Sequence, residues 1–99
     1  ADPARVREAL MGGFASSRVL EVHGERMIKG TFEPGFRISL HQKDLNLALE
    51  NARLLNTPLP NTATTQQLFS ACAALGGKEW DHSALIRALE TQANFTIRK

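Results

Sequence analysis

Cysteine occurs once, at Cys72, so an internal disulfide is excluded. Its surroundings, "LFSACAAL", read as a buried structural thiol with no redox role. Long apolar runs are missing too: no uncharged stretch approaches the roughly 20 residues that a membrane-spanning helix needs. The opening "ADPARVREAL" lacks the basic-then-apolar order of a signal peptide. A soluble cytoplasmic protein is the expectation. Charge of one sign is nowhere concentrated. Twelve Lys+Arg against ten Asp+Glu leave a net +2, and Arg5, Arg7, Arg18, Arg26, Arg53 and Arg87 are scattered along the chain. That distribution excludes the clustered footprint of a general nucleic-acid binder.

Several chemistries are absent as well. His23, His41 and His82 lie too far apart in sequence to copy a metal-binding helix pair, and no cysteine cluster accompanies them, so no metal site is assigned. Gly76-Gly77-Lys78 lacks the first glycine and the Ser/Thr of a phosphate loop and reads as a helix stop. No Gly-rich dinucleotide fingerprint occurs. His82 and Ser83 are sequence neighbours, which do not face each other on a helix, so they make no nucleophile–base pair.

What remains is one domain of 99 residues, 42% hydrophobic and 22% charged, ordinary values for a folded chain. Without sustained period-two alternation, strands are not expected, and the fold class is all-α: a compact bundle of about five helices. Asp2 caps the first helix, Pro3 suits its first position, and Gly12-Gly13 are expected to end it in a left-handed turn. So abrupt a start at a cap reads as a segment of a longer protein. Ser16 or Ser17 caps the second helix, which Gly24 is expected to break or bend. Pro34-Gly35 forms a turn, and the third helix runs from about Ile38 to Leu55. Pro60 opens a fourth, with Leu68, Cys72 and Leu75 on one stripe and Gly76-Gly77 closing it. Asp81 caps a fifth, with Leu85, Ala88 and Leu89 inward, and "FTIRK" is a short tail.

The third helix carries the functional signal. At about 100° per residue, Leu45, Ala48, Leu49, Ala52 and Leu55 form a core-facing stripe. A second stripe, Leu40, Leu47 and Leu54, lies opposite. Lys43 falls within it and Asp44 on its flank; Phe36 joins it if the helical phase persists that far back. A helix apolar on two faces is normally covered on both, and four other short helices can hardly wrap it. One face is therefore expected to meet another domain or another chain. Two readings of the charges stay open on spacing alone. Lys43 is aimed at an arriving anion, or it snorkels into solvent while Asp44 merely favours the helix N-terminus.

"PGFRISLHQKDLNLALE" resembles the cofactor-proximal motif of the β-hydroxyacid dehydrogenase family, which includes 3-hydroxyisobutyrate dehydrogenase and, more distantly, 6-phosphogluconate dehydrogenase. "DPARVREALMGGFASSRVLE" is similar to the segment after that family's interdomain helix, and "DHSALI" resembles its last helix. The form "PGFRISLHQKDL" is closest to members that reduce tartronate semialdehyde to D-glycerate. The resemblance implies a C-terminal helical domain, residues 1–99, that covers a cleft formed with an N-terminal Rossmann domain of the same chain. It implies that Lys43 and Phe36 contact NAD or NADP, and that Asp44 and Phe36 line the pocket of a small hydroxyacid or semialdehyde substrate. It also implies a homo-oligomer. The family's catalytic lysine has no counterpart here, and none of Lys29, Lys43, Lys78 and Lys99 replaces it, so no catalytic residue is assigned and this segment alone is expected to be inactive. Asn46 stands where many relatives carry glycine. The competing reading is a helical protein–protein interaction module that uses the Leu40/Leu47/Leu54 stripe.

Overall fold

A computed structural model of the chain describes residues 1–97; Arg98 and Lys99, the end of the expected tail, lie outside them. Five α-helices follow in order: α1 (Pro3–Met11), α2 (Arg18–Lys29), α3 (Ile38–Leu54), α4 (Pro60–Ala74) and α5 (Ile86–Ala93). A 3₁₀ turn, His82–Leu85, leads directly into α5. Among the described residues there is no strand, only an isolated antiparallel bridge between Arg37 and Asp81. None of the described helices is long and apolar enough to cross a membrane.

The helix starts follow from local chemistry. Asp2 accepts from the Ala4 N–H at 3.2 Å and Pro3 occupies the first turn of α1. Of the two candidate serines, Ser17 caps α2, accepting from the Leu20 N–H at 2.9 Å. α3 has no side-chain cap at all. Its first two N–H groups instead donate to backbone carbonyls from far along the chain, Ile38 to Trp80 at 2.9 Å and Ser39 to Lys78 at 3.0 Å. The orphan donors of the helix start are thus satisfied by the segment preceding α5, which fastens the two helices' beginnings together.

Some expectations need correction. Gly12 is right-handed (φ −83°), so α1 ends through bonds from Gly12 to Glu8 and from Gly13 to Leu10, not through a left-handed glycine. Gly24 does not break α2, which runs without interruption from Arg18 to Lys29. It sits where α1 comes close, and a Cβ there would lie 3.3 Å from the Arg7 side chain. Arg7 crosses this contact to donate to the Glu21 carbonyl at 2.7 Å. Asp81 caps a 3₁₀ turn before the fifth α-helix begins.

The fully buried core is small: Ile38, Phe69, Cys72, Ala84 and Ala88, ringed by Phe32, Leu45, Leu68, Ala71, Trp80 and Leu85. α3 packs on α4, α5 on α4, and the 3₁₀ turn touches α2, α3, α4 and α5, whereas α1 packs chiefly on α2. Cys72 is a buried free thiol, as expected. Leu75 and Leu89, expected inward, are half exposed, and Leu55 is 74% exposed. Leu55 still donates to the Asn51 carbonyl in helical phase, but it stands at the margin of the stripe and at the last turn, where Asn56 turns left-handed (φ 51°) and the chain leaves α3, so nothing covers it.

Candidate functional site

The second apolar stripe of α3 is uncovered. Leu40, Leu47 and Leu54 are 42%, 48% and 81% exposed, while Ala52 on the other face is buried and Leu45 and Leu49 are partly so. Lys43 lies on this uncovered side in the second turn of α3, exposed, and no ion pair among the described residues engages it. Asp44 is exposed too, one position further on. Because α3 begins at Ile38, neither charge is in the first turn, where the N-terminal dipole acts. Asp44 acts instead on His41, one turn back, where its negative charge favours protonation.

Phe36 reaches the same end of α3 by another route than helical phase. Arg37 is extended (φ −71°, ψ 149°), so the stripe does not continue back to Phe36. Its backbone is pinned from the other end of the chain: the Phe36 N–H donates to Asp81 Oδ1 at 3.1 Å, and its carbonyl accepts from the His82 N–H at 2.8 Å. The ring, about a third exposed, stands edge-to-face against His82 (centroids 5.4 Å apart) and His41 (5.9 Å). Phe36, Lys43 and Asp44 therefore all belong to the start of α3 and the loop before it.

Asp81 is fully buried and saturated. Oδ1 accepts from the N–H groups of Gly35 (2.9 Å) and Phe36 and pairs with Arg26 Nη1 at 2.8 Å; Oδ2 accepts from Ser83 N–H (3.0 Å) and Ser83 Oγ (2.5 Å). Burial works to raise its pKa, but hydrogen bonds from Ser83, the Phe36 amide and Arg26 more than offset it. The carboxyl is held well below the ordinary carboxylate range. Gly35 serves this contact by omission, since a Cβ there would lie 3.3 Å from the Arg26 guanidinium.

The three histidines converge, which sequence spacing did not reveal. His41 Nδ1 is 3.0 Å from His82 Nδ1, and His82 Nε2 is 3.2 Å from His23 Nε2. Neutral His82 has one donor and one acceptor nitrogen, so the three rings form a directed chain. Burial lowers the pKa of His41 and of His82, partly countered by Asp44 and Asp81 respectively; at His82 the neighbouring His23, His41 and Arg26 lower it further. The rings border an apolar cleft of about 250 Å³ lined also by Val19, Met27 and Phe69. His23, His82 and Asp81 stand within metal-binding reach of one another, but the Asp81 oxygens are already taken by five donors. Two imidazoles are left, short of the three or four protein ligands of a typical zinc site.

Sequence reasoning placed Phe36, Lys43 and Asp44 and missed Arg26, Asp81 and the histidine chain. The only available signal was an aspartate at a cap position followed by Ser83, which says nothing of burial.

Residues 1–89 match the family described as NAD-binding of NADP-dependent 3-hydroxyisobutyrate dehydrogenase. The chain is 72% identical over 97 residues to 2-hydroxy-3-oxopropionate reductase of Escherichia coli (strain K12), an alignment covering 98% of this chain and 33% of that protein. It is 34% identical to 2-(hydroxymethyl)glutarate dehydrogenase of Eubacterium barkeri, covering 96% of this chain and 32% of the relative. To 3-sulfolactaldehyde reductase of Escherichia coli (strain K12) it is 32% identical, covering 74% and 24%. The chain thus spans about a third of the length of the first two relatives and a quarter of the third.

Proposed function

The chain belongs to the NAD-binding family of NADP-dependent 3-hydroxyisobutyrate dehydrogenase, and from that premise we propose that it is the C-terminal helical domain of an NAD(P)-dependent reductase. In this reading its fold is that of the 6-phosphogluconate dehydrogenase-like C-terminal domain, and it closes over a cofactor held mainly by an N-terminal Rossmann domain of the same polypeptide. The substrate is 2-hydroxy-3-oxopropionate, reduced to D-glycerate, on the strength of the 72% identity.

One observation carries the reading: an ammonium, Lys43, that no ion pair among the described residues engages, on the leucine face of α3 that the described helices leave uncovered. A cation beside a greasy strip suits one edge of a dinucleotide, with phosphate or carboxylate oxygens on Lys43 and apolar surface along the leucines. It suits only an edge, because these residues include no Gly-rich phosphate loop.

The cofactor, when bound, supplies hydride to the aldehyde carbon. Lys43 binds an anionic group and orients it, its attraction strengthened as closure excludes water. Phe36, held at both its N–H and its C=O, presents a ring edge that shapes the pocket and keeps water away. Asp44 lines the substrate side, where it accepts a hydrogen bond from a substrate hydroxyl. The proton that completes the reduction comes from a group outside these residues, so this segment alone is inactive.

The full-length enzyme assayed with NADH and NADPH against 2-hydroxy-3-oxopropionate, 2-formylglutarate and 3-sulfolactaldehyde tests the assignment. The highest kcat/KM is expected on the first. Preference for another aldehyde moves the substrate within the family, and no reduction of any with either cofactor overturns the reading. In that event the exposed Leu40/Leu47/Leu54 stripe favours the rival, a helical interaction module.

A further inference from the structure

The loop that presents Phe36 has little to hold it in place locally. Pro34, Gly35 and Phe36 are exposed, and Phe36 lies outside the helix that follows. Apart from an edge contact with the His41 ring, its restraints come from residues 81 and 82, about 45 positions along the chain. Asp81 Oδ1 takes the N–H groups of Gly35 and Phe36, the His82 N–H takes the Phe36 carbonyl, and the His82 ring abuts the Phe36 ring. Behind this contact Asp81 is fully buried and clamped by Arg26 from α2 and by both donors of Ser83. One carboxylate therefore joins α2, the Phe36 loop and the 3₁₀ turn. A carboxylate is needed, because five donors converge on two oxygens; an amide accepts at only one of them and turns its own N–H groups against the rest.

We infer that Asp81 is a positioning residue for the reaction, setting where Phe36 stands against cofactor and substrate, an inference that rests on the function proposed above. Phe36 touches the ligands in that reading, and Asp81 acts only through it. Arg26 and Ser83 in turn hold the Asp81 carboxylate in the orientation that faces the loop.

The test uses the full-length enzyme, NADPH or NADH, and 2-hydroxy-3-oxopropionate. Asp81→Asn, Phe36→Ala and the double variant are compared in kcat/KM per folded molecule, with hydrogen–deuterium exchange followed over residues 33–37. Misplacing a contact group by about 1 Å can cost about a hundredfold in rate, so Asp81→Asn is expected to lower kcat/KM roughly 10- to 100-fold. It should also speed exchange in the loop. In the Phe36→Ala background the same change should cost less than about threefold, because the residue it positions is gone. Full kcat/KM in Asp81→Asn, or a loss that adds undiminished to that of Phe36→Ala, overturns the inference and leaves Asp81 a purely structural anchor. If Asp81→Asn does not fold, Ser83→Ala removes only the hydroxyl donor. It should then cost about threefold in kcat/KM, with that cost vanishing beside Phe36→Ala. No cost in Ser83→Ala overturns the inference equally. Failure of the underlying reading shows separately, in Phe36→Ala and Lys43→Ala both retaining full cofactor and substrate kinetics.

Discussion

Replacing Arg26 by methionine isolates the worth of the buried ion pair. The side chain is of similar length and helix propensity, so α2 itself should be little affected. What changes is Asp81, fully buried, which loses its Arg26 countercharge at 2.8 Å, the only one among the described residues, while keeping four hydrogen bonds. Breaking a fully buried pair costs about 3–5 kcal/mol. Here the Arg26 side chain is 32% exposed, and the remaining donors still solvate the carboxylate, so about 2 kcal/mol is the expectation. For a domain of this size that is a fall in Tm of roughly 8–16 °C. The matched control is Arg18→Met, on the same helix, which breaks the 3.0 Å pair with Glu21 where the two side chains are 79% and 48% exposed. It should cost under about 0.5 kcal/mol. Thermal unfolding followed by circular dichroism separates the two, and equal small losses would refute the argument that Asp81 depends on Arg26.

Acid should weaken the fold in two windows. His41 and His82 have folded pKa values below the 6.5 of a free histidine, so the unfolded chain binds more protons and stability falls as pH drops below about 6.5. Asp81, also depressed, contributes stability that is present above its unfolded value of 3.8 and lost as pH falls below it. His82→Phe should flatten the upper window in a Tm-against-pH series; an unchanged slope would show that the histidines do not carry it. Gly77→Ala places a methyl 2.1 Å from the Trp80 ring and should destabilise by about 1–3 kcal/mol, with Trp80 fluorescence shifting as the ring is displaced. The Leu40/Leu47/Leu54 face should drive self-association of the chain when nothing covers it. Leu47→Glu should shift sedimentation toward monomer, and a wild-type chain that is monomeric at high concentration would contradict this.

Most element ends were legible because they have a local cause: Asp2-Pro3, Ser17, Pro60 and Gly76 act within a few residues of where they stand, whereas the start of α3 is held by the distant Trp80 and Lys78 carbonyls. The two faces of α3 were legible for the same reason, since a rotation of 100° per residue needs no tertiary knowledge. The exposure of Leu47 and Leu54 follows it. Ala48 and Leu55 did not follow: both are exposed although in helical phase, because periodicity tells which side a residue is on and not how far the neighbouring helices reach over it. The supports of the site were invisible because they are long-range. Asp81 meets Gly35 and Phe36 across 46 and 45 residues, and His23 meets His82 across 59. No periodicity encodes a contact of that separation. Asp81 also does two things at once, capping its own turn and anchoring a distant loop, and only the first has a sequence signature. Phe36 was placed at the rim for the wrong cause, a helical phase that the extended Arg37 interrupts.

The most direct measurement is the dissociation constant of NAD(P)H for the full-length enzyme, titrated by cofactor fluorescence, with lysine or alanine at position 43. One charge-assisted contact is worth about 1.5–3 kcal/mol, so Lys43→Ala should weaken cofactor binding roughly 10- to 100-fold with the fold intact. Equal affinity in the two proteins would contradict the claim that this face of α3 closes over the nucleotide.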